Sequence, residues 1–308
     1  MTLRITPLQS VGVEVAGFDI SQAMDDALKS ELVALWDEYA ILVFRGQNID
    51  PTRQIEFSRL FGPLETHPLQ ETTSVEHPEL FMLVNDPAKE KFHTASYNGE
   101  LMVGRLDWHM DLHYTGKPNR GALLHSVVCA QKDGLTGFAD LAKAYDALDA
   151  DTKTLLAKLE VAYCFSMQRR HMRYVDLEGY EPGSHSPKKP ADVNFPNFSD
   201  VAYPAVVTHP VTGRKILEIT DQFLDRIVAP HAAGLSNDEA IELLERLVAH
   251  TRKPEFHYFH EWREGDMVLW DNWRASHCAT GTRPGGERTI HRTTIEGDAT
   301  LGRVLESC

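Results

Sequence analysis

Three apolar, strand-like runs lie far apart in this chain of 308 residues, and no regular strand–helix alternation connects them. They are AILVFRG (40–46), GALLHSVVCA (121–130) and DMVLWDN (266–272). Short runs of aliphatic and β-branched residues bounded by turn formers read as buried strands. Further strand signals fall between about 79 and 129, at FHYFHEW (256–262) and at RTIHRTTIEGD (288–298). Helical spacing occupies the gaps. Residues 22–40 carry Leu28, Leu32, Leu35 and Trp36 on one face, and 51–61 begin with Pro51 and stop at Gly62-Pro63. AKAYDAL (142–148) and TKTLLAKLEVAY (152–163) also read as helical. Residues 236–251 open with Ser236 as cap and Glu239 three residues on. This order predicts a mainly β core with flanking helices. No stretch reads as a linker, so one domain spanning 1–308 is expected. Residues 168–204, rich in Arg, Pro, Gly, Ser and Lys, are expected to form a lid or insert.

Charge narrows the partners. Lys and Arg number 31 against 45 Asp and Glu, a formal charge of −14. Such a surface argues against nucleic acid or an anionic membrane as partner. A small acidic ligand stays possible in a locally basic pocket, for which Arg105, Arg288 and Arg292 are candidates. The cysteines, Cys129, Cys164, Cys278 and Cys308, fit neither a zinc pattern nor a disulfide framework. No run approaches the ~18 apolar residues of a membrane span, and the start MTLRITPLQS lacks a signal peptide's apolar stretch. A cytoplasmic protein is expected.

The strongest chemical signal is Trp108-His109-Met110-Asp111. On a strand, residues two apart face the same side, so His109 and Asp111 would point at one place. Alone, this pattern is better read as a surface histidine beside a solvated aspartate. His277, just after the apolar run MVLWDNW, supplies a third donor. Two histidines and one carboxylate on one face of a metal leave open positions, the arrangement of non-haem iron(II) oxygenases. His113 and His125 are competing donors nearby in sequence. Arg288 and Arg292, eleven and fifteen residues beyond His277, share a strand face and could hold a carboxylate in a bidentate pair.

These segments together resemble the taurine dioxygenase / 2,4-dichlorophenoxyacetate dioxygenase family of iron(II)- and 2-oxoglutarate-dependent oxygenases. The resemblance runs through GVEVAGFDIS, AILVFRGQNIDPTRQIEFSRLFGPLETHP, DWHMDLHY, GALLHSVVCAQKDGLTGFADLAKAYDAL and GDMVLWDNWRASHCATGTRPGGERTIHRTTIEGD. It implies a double-stranded β-helix, a jelly-roll barrel with helices around it. It also implies that His109, Asp111 and His277 ligate Fe(II), and that Arg288 and Thr136 bind the distal carboxylate of 2-oxoglutarate, with O2 as second co-substrate. Arg292 and His67 resemble positions that meet a substrate's acidic group. The chain departs from the family at Leu135 and Trp273, and Gln70 stands where the taurine enzyme has tyrosine.

The function expected is oxidation, by hydroxylation in the first instance, of a C–H bond in a small to medium anionic molecule. His67, Gln70, Arg105, Leu112, Tyr114 and Arg292 are its expected contacts. A homo-oligomer, dimer or tetramer, is expected. Two other classes use similar barrels: a non-enzymatic small-molecule-binding protein and a metal-dependent hydrolase.

Overall fold

The computed structural model describes residues 2–66, 73–85, 94–130, 132–183 and 198–306. The widely spaced apolar runs become neighbours in an eight-stranded sheet. Ile41–Phe44 pairs with Met267–Asp271, which pairs with Gly121–Val128, which pairs with Arg288–Ile295. Arg4–Pro7 and Val13–Ala16 extend one side. Leu64–Glu65 and Leu80–Asn85 both pair with Arg288–Ile295 on the other. A four-stranded sheet runs in the order His257–His260, Thr136–Asp140, Ala275–Ala279, Leu106–His109. Phe138 and Trp270, one from each sheet, meet with ring centroids 5.6 Å apart. Val43, Leu124, Val268, Ala275 and Ile290 pack with them, so these two sheets share an apolar core.

Two helices cover the outer side of the large sheet. Helix α1 (Asp26–Tyr39) starts where the Asp25 carboxylate accepts the Leu28 N–H, and it buries Leu28, Leu32 and Trp36. These repeat every fourth residue, one stripe of a helix. They pack with Leu42, Phe44, Leu123 and Leu269 of the sheet and with Phe57 of α2 (Pro51–Ser58). Trp36 and Phe61 meet edge-on at 5.4 Å, as do Phe44 and Phe57 at 5.5 Å. A third sheet, Leu224–Val228, Glu160–Tyr163, Val201–Pro204, Arg303–Val304, carries a separate core. Helices α3 (Leu141–Asp146) and α4 (Ala150–Leu156) contribute Ala144 and Leu156 to it. Helix α5 (Asn237–Thr251) adds Leu243, Leu244 and Leu247 and opens with the expected capping box of Ser236 and Glu239.

Two expectations need correction. Residues 152–163 are not one helix: α4 ends at Leu156, and Glu160–Tyr163 is a central strand. The buried run Val161-Ala162-Tyr163 is short enough to suit either form, and pairing with strands on both sides decides it. The irregular stretch at 168–204 is also shorter than its composition suggests. Tyr180–Pro182 pairs with Thr94–Tyr97, and Val201–Pro204 lies inside the third sheet. The part of that stretch at 184–197 lies outside the described residues. Among those described, no helix is long and apolar enough to cross a membrane.

Candidate metal centre

His109 ends the edge strand of the four-stranded sheet and stands directly opposite His277 on the neighbouring strand. The cross-strand register sets the two imidazoles side by side, with ring centroids 4.1 Å apart. Asp111 joins them, and one donor atom from each residue lies within 4.8 Å of the others. His109 Nε2 is 3.6 Å from Asp111 Oδ1, and His277 Nε2 is 3.5 Å from Asp111 Oδ2. His109 Nδ1 lies 2.7 Å from the Asp107 carbonyl. A carbonyl only accepts, so Nδ1 carries the proton and Nε2 keeps its lone pair for a metal.

Asp111 reaches this place by a route that differs from the expectation. The strand stops at His109, so Asp111 is not its next inward residue. The chain turns instead, with Leu112 at φ 55° and a short 3-10 helix over His113–Thr115. Asn272 holds the turn. Its Oδ1 accepts the Asp111 N–H at 2.8 Å, and its Nδ2 donates to the Asp111 carbonyl at 3.0 Å. The same Nδ2 donates to the Asn119 carbonyl at 3.1 Å. Asn272 is fully buried. Its neighbour Asp271 is fixed by Arg120 and by His209 Nε2 at 2.9 Å. In the sequence, the only signal for Asp271-Asn272 is two polar residues at the end of an apolar strand.

The electrostatics prepare both side chains for a cation. Burial would raise the Asp111 carboxyl, but Arg292 and the two imidazoles outweigh it and hold it well below the usual range. Arg292 Nη2 lies 2.6 Å from Asp111 Oδ2. Burial and the adjacent His109 and Arg292 hold the His277 imidazolium well below its ordinary value, despite Asp111. A carboxylate and a neutral imidazole are the forms that bind metals without first losing a proton. Trp270 packs 4.8 Å from the His277 ring and walls one side.

Arg288 is the second unusual group. Burial pushes its guanidinium down to about 10, opposed only by Cys129. Among the described residues it has no carboxylate partner. A desolvated cation without a counter-ion is costly unless a ligand supplies one. Gly134 lies against it: a Cβ there would come within 3.4 Å of Arg288 Nε and 2.9 Å of Thr282 Cγ2. Two residues on, the Thr136 hydroxyl accepts the Trp262 Nε1–H at 3.0 Å.

The other expected residues divide. Tyr114 packs against Phe165, Phe198 and Phe223, and burial, then Asp111, push its phenol up to about 12. Arg105 is set on the Tyr97 ring, 4.0 Å from its centroid, rather than against the triad. His67 and Gln70 lie outside the described residues. His113 and His125 do not compete for the metal. His113 faces Glu218 at 3.2 Å, and His125 Nε2 bonds to the Gln47 carbonyl at 3.1 Å.

A β core that sets two imidazoles and one carboxylate around a single point has the donor set of a mononuclear metalloprotein. The model of the "Taurine catabolism dioxygenase TauD, TfdA family" matches residues 4–294, and the chain belongs to that family. It is similar to the (S)-phenoxypropionate/alpha-ketoglutarate-dioxygenase of Sphingobium herbicidovorans, at 33% identity over 96% of this chain and 95% of that protein. Its identity to the alpha-ketoglutarate-dependent 2,4-dichlorophenoxyacetate dioxygenase of Cupriavidus pinatubonensis is 31%, over 96% of this chain and 97% of the other. Among solved structures it resembles AAD-2 in complex with Mn(II) and N-oxalylglycine, with TM-score 0.71, 26% identity, and coverage of 98% of this chain and 100% of that one. A taurine dioxygenase from Burkholderia xenovorans shares the fold, with TM-score 0.74, 22% identity, and coverage of 99% of this chain and 97% of that one. The chain is therefore an iron(II)- and 2-oxoglutarate-dependent dioxygenase that also uses O2, rather than a binding protein or a hydrolase.

Proposed function

We propose that His109, Asp111 and His277 hold the iron, and that Arg288 with Thr136 binds the distal carboxylate of 2-oxoglutarate. The half-buried Arg288, without a carboxylate partner among the described residues, carries this reading, because the keto acid supplies the missing counter-charge. Iron with 2-oxoglutarate and O2 supplies the oxidising chemistry, in which the keto acid becomes succinate and CO2 while a C–H bond is hydroxylated. The protein does the rest. Arg292 keeps Asp111 ionised. The Asp107 carbonyl fixes the His109 tautomer. Trp270 and Phe138 keep water from the His277 side.

The substrate in this proposal is a small anionic molecule of the aryloxyalkanoate kind, the class named in the relatives that act on phenoxypropionate and 2,4-dichlorophenoxyacetate. Arg292 and His67 meet its acid group, and Leu112, Tyr114 and Gln70 contact its body. Hydroxylation beside the ether oxygen is the reaction we favour. The two facing sheets are proposed to form a double-stranded β-helix within one domain over 1–308, with the part of the 168–204 segment that precedes the buried strand Val201–Pro204 as its lid. The enzyme is proposed to be cytoplasmic and a dimer or tetramer. The free thiols of Cys129, Cys164 and Cys278 suit a reducing compartment.

The test is spectroscopic. Iron(II) and 2-oxoglutarate, added without oxygen, should give a weak visible charge-transfer band that His109→Ala abolishes. Substrate-coupled succinate release, screened over aryloxyalkanoates, then identifies the substrate. Absence of the band, with iron bound no better than by the variant, would refute the ligand assignment.

A further inference from the structure

A cleft of about 570 Å³ is lined by Leu106 and Asp107, on the strand that ends at His109. Asp107, whose carbonyl bonds to His109, is part of its lining. So is Gln222, whose N–H donates to the Trp108 carbonyl at 3.0 Å. Phe165 and Phe223 line it too and pack on Tyr114 at 4.6 and 5.3 Å. Tyr114 lies three residues beyond Asp111, so Phe165 and Phe223 pack against the turn that carries Asp111. Met102, Met167 and Met172 complete an apolar surface. Thioether side chains adapt to ligand shape better than branched ones.

The polar part of the lining is cationic. It holds Arg105, Arg169 and Arg170 against Asp107, in a chain whose formal charge is −14. Two of these arginines are committed. Arg169 ion-pairs with Asp107 and donates to the Asp176 carbonyl at 2.6 Å. Arg170 Nη2 sits 3.1 Å from Glu181 Oε2. Arg105 has neither an ion pair nor a hydrogen bond among the described residues. Its guanidinium lies over the Tyr97 ring at 4.0 Å. A Cβ at Gly281 would come within 3.0 Å of its own Cβ, so the start of its stem is closely packed. A guanidinium stacked on a ring keeps its N–H edge free for a carboxylate or a similar oxyanion.

We infer that Arg105 binds a second acidic group at the far end of the substrate, whose apolar body lies along the methionines and Phe165 and Phe223. This inference deepens the proposed function and rests on it. Arg105 precedes His109 by four residues of extended chain, so roughly 13 Å separate their Cα atoms. The second acid is thus several bonds from the oxidised carbon. The substrate class is a dianion, such as an aryloxyalkanoate with an acidic side arm.

Calorimetry on protein loaded with Mn(II) and 2-oxoglutarate tests this with a matched pair of probes. These are 4-(carboxymethyl)phenoxyacetate and 4-ethylphenoxyacetate, which differ chiefly in one charge. The wild type should bind the dianion about tenfold or more tighter, the weight of one charge-assisted hydrogen-bond pair. Arg105→Ala should remove that preference and leave the ethyl probe within about threefold, while Arg105→Lys should keep part of it. No preference in the wild type, or one that survives Arg105→Ala, would overturn the inference. The iron–2-oxoglutarate band, read on each variant, separates the two hypotheses. A normal band without dianion preference removes the second acid subsite alone. Without a band in the wild type, the ligand assignment fails, and the two probes still report on Arg105 in metal-free protein.

Discussion

At the scale of single residues, the triad was legible because its chemistry is written in residue type and spacing. His109 and Asp111 are two apart, and His277 follows shortly after an apolar run. What the sequence hid is how Asp111 gets there. Asn272 lies 161 residues from Asp111 and touches only its main chain, so no side-chain pattern betrays it. The backbone grip leads to a prediction. Asn272→Ala leaves the Asp111 N–H and the Asn119 carbonyl without their partner in a buried place, which costs about 1–3 kcal/mol of stability. It also frees the carboxylate to wander, and loss of a ligand's outer hydrogen bonds typically weakens metal binding about 10–100-fold. Iron titration followed by the charge-transfer band should show that loss, with denaturant unfolding run in parallel. Asn272→Asp, which keeps the acceptor but sets a buried carboxylate oxygen against the Asp111 and Asn119 carbonyls, should lose at least as much. Unchanged iron affinity in Asn272→Ala would show that the turn holds itself.

At the scale of elements, periodicity placed α1, α2 and α5 and the three long apolar strands, because each is amphipathic or wholly buried over several residues. It could not place Glu160–Tyr163, whose strand character comes from partners on both sides. Nor could it foresee that the strand carrying His109 ends there. Close approaches between elements were equally hidden. Gly121 begins the strand at the middle of the large sheet, and a Cβ there would lie 2.4 Å from the Trp270 carbonyl oxygen and 2.6 Å from the Trp36 ring. The carbonyl belongs to a paired strand and cannot swing away. Gly121→Ala should therefore cost about 1–3 kcal/mol or more, the usual price of overpacking. Thermal unfolding would check it. Because Trp270 also flanks His277, 2-oxoglutarate binding should weaken as well. A variant as stable as the wild type would mean that the sheet yields locally.

At the scale of the whole molecule, the triad's turn is tied to the third sheet through a buried pair that composition could not reveal. His113 stacks on Tyr203 at 3.8 Å and faces Glu218 at 3.2 Å. The Tyr203 hydroxyl donates to the His113 carbonyl at 2.5 Å, and that of Tyr163 donates to the Glu218 carbonyl at 3.0 Å. Burial pushes the Glu218 carboxyl up to about 8 and the His113 imidazolium down to about 3, so both are neutral near pH 7. The two act on stability in opposite senses. Glu218 binds its proton more tightly when folded, so its contribution is complete below its ordinary value of 4.5 and is lost as pH rises through about 8. His113 matters only below its ordinary 6.5, where unfolding lets it charge. Above that point Glu218 acts without it, and each pH unit removes about 1.4 kcal/mol. Going from pH 6.5 to 8 should thus destabilise the wild type by about 2 kcal/mol more than Glu218→Gln, which carries no proton to lose. Asp221, pushed up to about 7 by burial against the pull of Arg252, slopes the same way in both proteins and cancels in the comparison. Urea unfolding of the two at both pH values measures the difference. Parallel pH dependences would mean that Glu218 is already ionised at pH 6.5 and pairs with a charged His113.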